Sequence, residues 1–280
     1  MMSYVPRISL NDGSTVPQIG LGVWQAEDGQ ETEQAVKVAL EAGYRHIDTA
    51  AVYQNETSVG AGIRTSGVPR EDIFVTTKLW NSDQGADKVR PALEASLKKL
   101  GLEYVDLYLI HWPTPKRDLI IETWKEFEKL KEDGLIKSIG VSNFRIEDLE
   151  RLKEEGLSTP VLNQIELHPK LLQTELRKYG QENNIAIESW SPIGGSRGNI
   201  LEDNTIALIA AKHEKSIAQI IIRWHIQHGL IVIPKSVKPQ RIQENFDVFD
   251  FELSSEEMTK IDDLGDGERV GPDPATMNVS

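Results

Sequence analysis

From Gly20 onward the chain alternates short, β-rich apolar runs with amphipathic stretches of helical length, and it does so eight times. The runs end near Trp24, Thr49, Lys78, His111, Asn143, Glu166, Trp190 and Lys235. Runs such as Val105–Ile110 and Leu230–Ile233 are nearly continuous in apolar residues, which suits strands covered on both faces and therefore a parallel sheet. Helical patterns lie between the runs at Glu31–Ala42, Val89–Leu100, Ile120–Lys131 and Ala218–His228. An open doubly wound sheet usually has fewer strands, so eight βα units favour closure. The expected fold is α/β, a (β/α)8 TIM barrel, with the 280 residues forming a single domain.

Two segments fall outside the cycles. Arg7–Leu10 and Ser14–Ile19 flank Asn11-Asp12-Gly13, a turn sequence that predicts a β-hairpin plugging the N-terminal mouth. After the eighth unit, a helical pattern at Ser254–Leu264 leads into a Gly/Pro-containing tail from Gly265 to Ser280, too short for another unit. The tail is expected to lie over the active-site mouth as a flap that governs substrate choice.

Composition removes several classes of function. The chain has no cysteine, which excludes disulfides, thiolate ligands and a cysteine nucleophile. Its formal net charge of −13 argues against nucleic acid or an anionic membrane as partner, so any anionic ligand needs its own basic pocket. No apolar run reaches the roughly 18 residues of a membrane span, and Met1–Gly13 lacks the blocks of a signal peptide. A cytosolic monomer with small-molecule partners is the expectation.

In a barrel of this kind the loops at the C-terminal strand ends converge on one pocket. Asp48, Lys78 and His111 close the second, third and fourth runs, and Tyr53 lies in the loop after the second. Taken singly, each has an ordinary structural role: a helix cap, a half-buried ring, a surface ion pair, a packed core histidine. On consecutive strand ends they form a set suited to donating a proton to a developing oxyanion. A phenol with a pKa near ~10 is a poor acid at neutral pH unless a cation stabilises its phenolate. Lys78 supplies that cation, Asp48 holds it, and a neutral His111 donates an N–H to the substrate oxygen.

Asp48-Thr49-Ala50 with Tyr53, Lys78, Leu109-Ile110-His111-Trp112-Pro113, Gly140-Val141-Ser142-Asn143-Phe144, Asn163-Gln164 and Ile233-Pro234-Lys235-Ser236 together resemble the aldo-keto reductase family. The resemblance runs from about Gly20 to Asn245, and further with the Arg269-Val270-Gly271-Pro272 tail. It implies an Asp48/Tyr53/Lys78/His111 tetrad, no metal, and reduction of aldehydes and ketones by direct hydride transfer from NADPH. The short loops and tail are most similar to bacterial members acting on diketogluconate, methylglyoxal and related small carbonyls.

Gly20-Leu21-Gly22 lacks the third glycine of a dinucleotide fingerprint. The better phosphate candidate is Lys235-Ser236-Val237-Lys238-Pro239-Gln240-Arg241, three positive charges and no acid at the end of the eighth run. The resemblance assigns Lys235, Ser236 and Arg241 to the 2′-phosphate of NADPH, Glu244 and Asn245 to adenine, and Gly22, Trp24, Ser191, Ile193 and Val237 to further cofactor contacts. Ser142, Asn143 and Gln164 offer hydrogen bonds to a nicotinamide carboxamide, and Trp190 offers a ring to stack on. Gly194-Gly195-Ser196-Arg197-Gly198 is a candidate pyrophosphate wrap. Trp24, Trp80 and Trp112, with Tyr53 and His111, are expected to wall a largely apolar substrate pocket with a polar floor. His225 and His228, spaced i, i+3 on a helix, lack a third metal ligand.

Two competing functions are open at this stage. A lysine at a barrel strand end can form a Schiff base, making Lys78 the centre of a lyase, although the basic loop would then need a separate explanation. A non-catalytic module that binds NADPH as a redox signal is the other, and an intact tetrad weighs against it.

Overall fold

The computed structural model describes residues 5–195 and 199–279. A two-stranded antiparallel hairpin comes first, β1 (Arg7–Ser9) against β2 (Thr15–Pro17). Eight parallel strands follow: β3 (Leu21–Gly22), β4 (His46–Asp48), β5 (Phe74–Leu79), β6 (Val105–Ile110), β7 (Ile136–Ser142), β8 (Leu162–Glu166), β9 (Ala186–Trp190) and β10 (Ile231–Val232). Each pairs with its neighbour in chain order, and the parallel bridges Ile19↔Val232 and Gly22↔Lys235 join first to last. The ring is closed, as the eight-cycle pattern requires.

The helices are α1 (Gln30–Ala42), α2 (Glu56–Thr65), α3 (Ala86–Leu100), α4 (Ile120–Glu132), α5 (Ile146–Glu154), α6 (Thr174–Glu182), α7 (Asn204–His213), α8 (Ile217–Gln227), α9 (Pro239–Phe246) and α10 (Ser255–Asp262). Helix α3 begins earlier than the apolar period indicates because its first turn, Ala86-Asp87-Lys88, is polar and exposes itself to water. The crossover from β9 to β10 holds two helices rather than one. Helix α8 is started afresh by a capping box, in which the Ser216 hydroxyl accepts from the Gln219 amide and the Gln219 side chain accepts from the Ser216 amide. No helix among the described residues is long and apolar enough to cross a membrane.

Side chains that alternate along a strand sort into two layers. Tyr108 and Ile110 of β6 join the large outer core against the helices. Leu107 and Leu109 point inward, where they meet Phe74, Leu162, Ile231 and the hairpin residues Leu10 and Val16. The hairpin therefore does plug the N-terminal mouth, and Asp12 secures it by accepting from Ser138 at 2.7 Å and Lys131 at 3.0 Å. Following the inward set upward places His46 and Asp48, Thr76 and Lys78, Gln164 and Glu166, and Glu188 and Trp190 on the inner face. The interior thus passes from apolar floor to charged rim within two residues of each strand.

Helices α2 and α3 approach so closely that a Cβ built on Gly60 would lie 2.0 Å from the backbone oxygen of Leu100. Gly60→Ala should therefore lower the unfolding free energy by about 1–3 kcal/mol, the usual range for overpacking. Urea denaturation tests this, and an unchanged midpoint would contradict the close contact.

Candidate active site

The loop after β4 is built to present Tyr53. Residues Ala51–Tyr53 form a single 3-10 turn. Asn55 pins that turn to the end of β3, donating to Val23 O and Ala26 O at 2.9 and 3.1 Å and accepting from the Thr49 hydroxyl at 3.0 Å. The Tyr53 ring is partly exposed while its hydroxyl lies against Lys78.

Lys78 is fully enclosed, and its three ammonium hydrogens have three acceptors. Nζ lies 2.6 Å from Asp48 Oδ1, 2.8 Å from the Thr49 carbonyl and 3.4 Å from Tyr53 Oη. Burial alone would lower the Lys78 pKa, but the charge and hydrogen bond of Asp48, together with the charges of Tyr53 and Glu188, outweigh it, and the pKa is raised. The lysine is therefore a permanent cation. Burial pushes the Tyr53 phenol above its ordinary value, and the positive charge of Lys78 opposes that rise. Asp48 is clamped from behind by Gln164, whose Nε2 donates to Asp48 Oδ2 at 2.8 Å and to Glu188 Oε2 at 2.9 Å.

His111 follows β6 directly and is 7% exposed. Burial first, and then the charge of Lys78, push its pKa well below the ordinary imidazole value, so the ring is neutral and can donate an N–H. Nδ1 of that ring has no hydrogen-bond partner among the described residues. Tyr53 and Trp80 stand edge-on to it, with centroids at 5.8 and 5.3 Å, and Trp112 lies at 6.4 Å. The structure thus gathers Trp80, Trp112, Tyr53 and His111. Trp24 does not join them: it is 51% exposed and pairs with no aromatic ring among the described residues.

Ser142, Asn143, Gln164 and Trp190 form one hydrogen-bonded group beside His111. Asn143 adopts a left-handed conformation, φ 62°, which turns its amide back to donate to the His111 carbonyl and to Ser142 Oγ, both at 3.0 Å. Asn143 Oδ1 accepts from the Trp190 indole at 2.8 Å, and Ser142 Oγ donates to the Gln164 carbonyl at 2.9 Å. Donor capacity in this group is used internally. What is left for a ligand is acceptor capacity, chiefly Gln164 Oε1, which narrows the donor-and-acceptor role expected from the sequence.

At the end of β10, Lys238 precedes α9 with Pro239 in its first turn. Lys235 and Arg241 are exposed, Ser236 is buried with Oγ accepting from the Lys238 amide, and Val237 is half-buried. None of Lys235, Lys238 and Arg241 makes an ion pair among the described residues. Glu244 is exposed and Asn245 buried on the same helix. Gly22 pairs with Lys235 across the closing seam, where an added Cβ would sit 3.1 Å from Ile233 O. After Trp190 the chain turns through Ser191 at φ 47°, Ile193 packs against the core, and Gly194 donates back to Ser191 O. Ser196, Arg197 and Gly198 of the candidate pyrophosphate wrap lie outside the described residues.

Sequence reasoning assigned no role to Glu166, which anchors the tail. Its carboxylate, buried at the end of β8, accepts from the amides of Val270 at 2.6 Å and Gly271 at 3.1 Å and from His168 at 3.1 Å. Burial opposes the charge on Glu166, but these hydrogen bonds prevail and lower its pKa. Beyond this anchor the tail crosses the mouth, where Asn278 accepts from the Lys116 amide and Val279 O accepts from Asn81. A cavity of about 420 Å³ lies beneath it, lined by Asn143, Arg145, Glu166, Arg269 and Pro274 among others. That lining includes none of Tyr53, Lys78 and His111. His225 and His228 turn to separate partners, the first to backbone carbonyls and the second to Asp262.

The aldo/keto reductase family profile matches residues 18–266. An aldo-keto reductase of Mycolicibacterium smegmatis is 58% identical, with 98% of this chain and 99% of the relative covered. Methylglyoxal reductase DkgA of Yersinia pestis is 54% identical, with 98% of each covered. The crystal structure of a Gox0644 mutant in complex with NADPH superimposes with a TM-score of 0.93 at 48% identity, covering 98% of this chain and 99% of that one.

The seat of the tail can be tested at Gly271, where an added Cβ would lie 2.3 Å from Trp190 Cη2 and 3.0 Å from Glu166 Oε2. Gly271→Ala should lift the tail off Trp190, seen as a shift in tryptophan emission and faster proteolytic cleavage after Leu264. Wild-type cleavage rates would show that the contact does not hold the tail.

Proposed function

The chain belongs to the aldo/keto reductase family, and from that premise we propose that it is an NADPH-dependent reductase of aldehydes and ketones with Tyr53 as general acid. The observation that carries the reading is the bridge made by Lys78 Nζ between Asp48 Oδ1 and Tyr53 Oη. A fixed cation beside the phenol stabilises the phenolate that forms as the proton leaves, so the phenol is acidic in the transition state while it stays protonated at rest. The neutral His111 orients the substrate oxygen through its N–H, and Trp80 and Trp112 wall the carbonyl's substituents. Small dicarbonyls, keto-sugars and aromatic aldehydes are the proposed substrates, the first supported by the methylglyoxal reductase relative.

NADPH, when bound, supplies the hydride. The residues suit it on two counts: the open acceptor at Gln164 matches a carboxamide NH2, and three cations without an ion pair among the described residues surround the start of α9 in a chain of net charge −13. In this reading Ser142, Asn143, Gln164 and Trp190 hold the nicotinamide, and Gly22, Trp24, Ser191, Ile193, Gly194 and Val237 line the path of the cofactor. Lys235, Ser236 and Arg241 grip the 2′-phosphate, and Glu244 and Asn245 meet adenine. The tail, seated on Glu166 and Trp190, selects among carbonyls.

The Schiff-base alternative needs a neutral amine at Lys78. Three acceptors around Nζ and a raised pKa oppose that state. A purely sensory role leaves the Asp48–Lys78–Tyr53 arrangement without a purpose, and turnover with a carbonyl panel separates it from catalysis.

Tyr53→Phe keeps the ring and removes the proton, so turnover should fall by at least about 10²–10⁴-fold with NADPH affinity nearly unchanged. Single-turnover NADPH oxidation with a reactive aldehyde measures this, and a near-normal rate would move the acid role to His111. Lys78→Met should behave similarly and add little to Tyr53→Phe in the double variant, since Lys78 acts through the hydroxyl. Arg241→Ala should weaken NADPH binding by about one to two decades, the loss of a charge-assisted hydrogen bond of roughly 1.5–3 kcal/mol, and spare NADH. Equal losses for both cofactors in a titration would remove Arg241 from the phosphate site.

A further inference from the structure

Behind the tetrad lies a second buried carboxylate that the mechanism above does not use. Gln164 and Glu188 are in register on β8 and β9, and the two hydrogens of the Gln164 amide are divided between Asp48 and Glu188. Glu188 is 0% exposed; its Oε1 has no hydrogen-bond partner among the described residues and faces His46 Nε2 at 3.6 Å. Ligand atoms of His46, Asp48 and Glu188 all lie within 4.8 Å of one another. The groups facing Glu188 are thus His46 and Asp48 of β4, Lys78 of β5, Gln164 of β8 and, beyond Lys78, the Tyr53 hydroxyl. On the other side Glu188 pairs through the backbone with Ile231 of β10, which brings no charge.

Two carboxyl groups here share one ammonium and one amide. If both ionised, the enclosed cluster would hold an excess negative charge with no water to solvate it, so one proton must stay. Asp48 is the one in contact with Lys78, and the retained proton therefore belongs to Glu188. His46 does not take it, because burial and then the charge of Lys78 hold its pKa down to about 3.

We propose that Glu188 is a positioning residue for the tetrad, holding Asp48 on Lys78 through Gln164 as a neutral acid and weakening Tyr53 as a proton donor once it ionises. The inference rests on the reading of Tyr53 as general acid. Burial, and then the charge of Asp48, raise the Glu188 pKa to about 8, within reach of ordinary assays. The sign follows from charge: an anion at Glu188 raises the pKa of Tyr53, which keeps its proton but gives it up less readily. Carbonyl reduction should then fall through that pH range to a lower plateau. Outright loss of the tyrosine proton would instead make the rate fall about tenfold per pH unit with no plateau.

Glu188→Gln keeps an oxygen for Gln164 and cannot ionise. The variant should reduce methylglyoxal at about pH 6–7 within a few-fold of wild type and lose the step, with the first alkaline decline moved up by about one pH unit or more. A wild-type profile with no step, or a variant profile that keeps it, would overturn the proposal. Tyr53→Phe is run beside it: a near-normal single-turnover rate there would sink the general-acid reading, and an unchanged Glu188→Gln profile with an inactive Tyr53→Phe would sink the role of Glu188 alone. Wild-type protein carrying ¹³C in its glutamate carboxyls gives a readout that needs no variant. Its infrared spectrum should show a carboxylic-acid carbonyl band at about pH 6 that is lost by about pH 9.5, and absence of that band at the lower pH would likewise overturn the proposal.

Discussion

Lys78 places a full positive charge inside the barrel, where desolvating an ammonium ion costs several kcal/mol. The surrounding structure is arranged to make that charge tolerable. Asp48, the Thr49 carbonyl and Tyr53 come from β4 and the loop after it, whereas Lys78 comes from β5. Parallel strands end at the same side of a ring, so their terminal residues can converge in this way without long loops. Closure matters as well. The β3–β10 seam runs past Gly20 and Gly22, and a Cβ at Gly20 would lie 2.7 Å from the His46 ring while one at Gly22 would press on Ile233 O. A side chain at either position would strain the seam beside the residues that enclose the ion pair.

How much of this was legible in the sequence depended on whether a feature follows from period and position or from three-dimensional pairing. The eight cycles, the hairpin plug and the placement of Asp48, Tyr53, Lys78 and His111 all follow from position, and the residues sit where strand ends predict. The pattern Ala218–His228 marks α8, but α7 is not read from the sequence as a helix of its own, because only three residues divide it from α8 and both carry apolar residues. The clamp on Asp48 was hidden for a different reason. Gln164 reads as a polar strand-end residue, and nothing local shows that both its amide hydrogens point down the barrel. Glu188 did leave a signal, a carboxylate within Ala-Ile-Glu-Ser-Trp on a strand covered on both faces, and inward alternation with Trp190 would have placed it below the site. Trp24 follows β3 as the strand-end pattern predicts, in a loop whose backbone is held by Asn55, and its side chain is about half exposed.

The electrostatics divide along the same line. A chain of net charge −13 repels an anionic ligand at long range, so affinity for one must come from short contacts. Three cations at the start of α9 are placed to offer them, and among the described residues they have no carboxylate partner although acids outnumber bases across the chain. Within the barrel the opposite rule holds: Asp48 and Lys78 are matched and enclosed, and His111 is neutral because burial, and then the charge of Lys78, disfavour its protonated form.

This division bears on how one proton donor can serve many carbonyls. The groups that fix the donor's acidity are strand residues with almost no exposure, locked by hydrogen bonds whose geometry depends on the closed ring. The groups that meet the rest of a substrate in this reading, Trp80, Trp112 and the tail, lie in loops or beyond the last helix, and the tail is held by hydrogen bonds and ion pairs to a few residues, among them Glu166, Lys170 and Asn81. Loop residues can change without moving the ammonium ion, because Lys78 touches none of them except through Tyr53 and the Thr49 carbonyl. Change at Asp48, Gln164 or Glu188 is another matter, since each shares a hydrogen bond with the next and an unmatched charge in that cluster has no water to turn to. The interior is therefore restricted to residues that keep its charge balanced, while the rim is free to vary in shape.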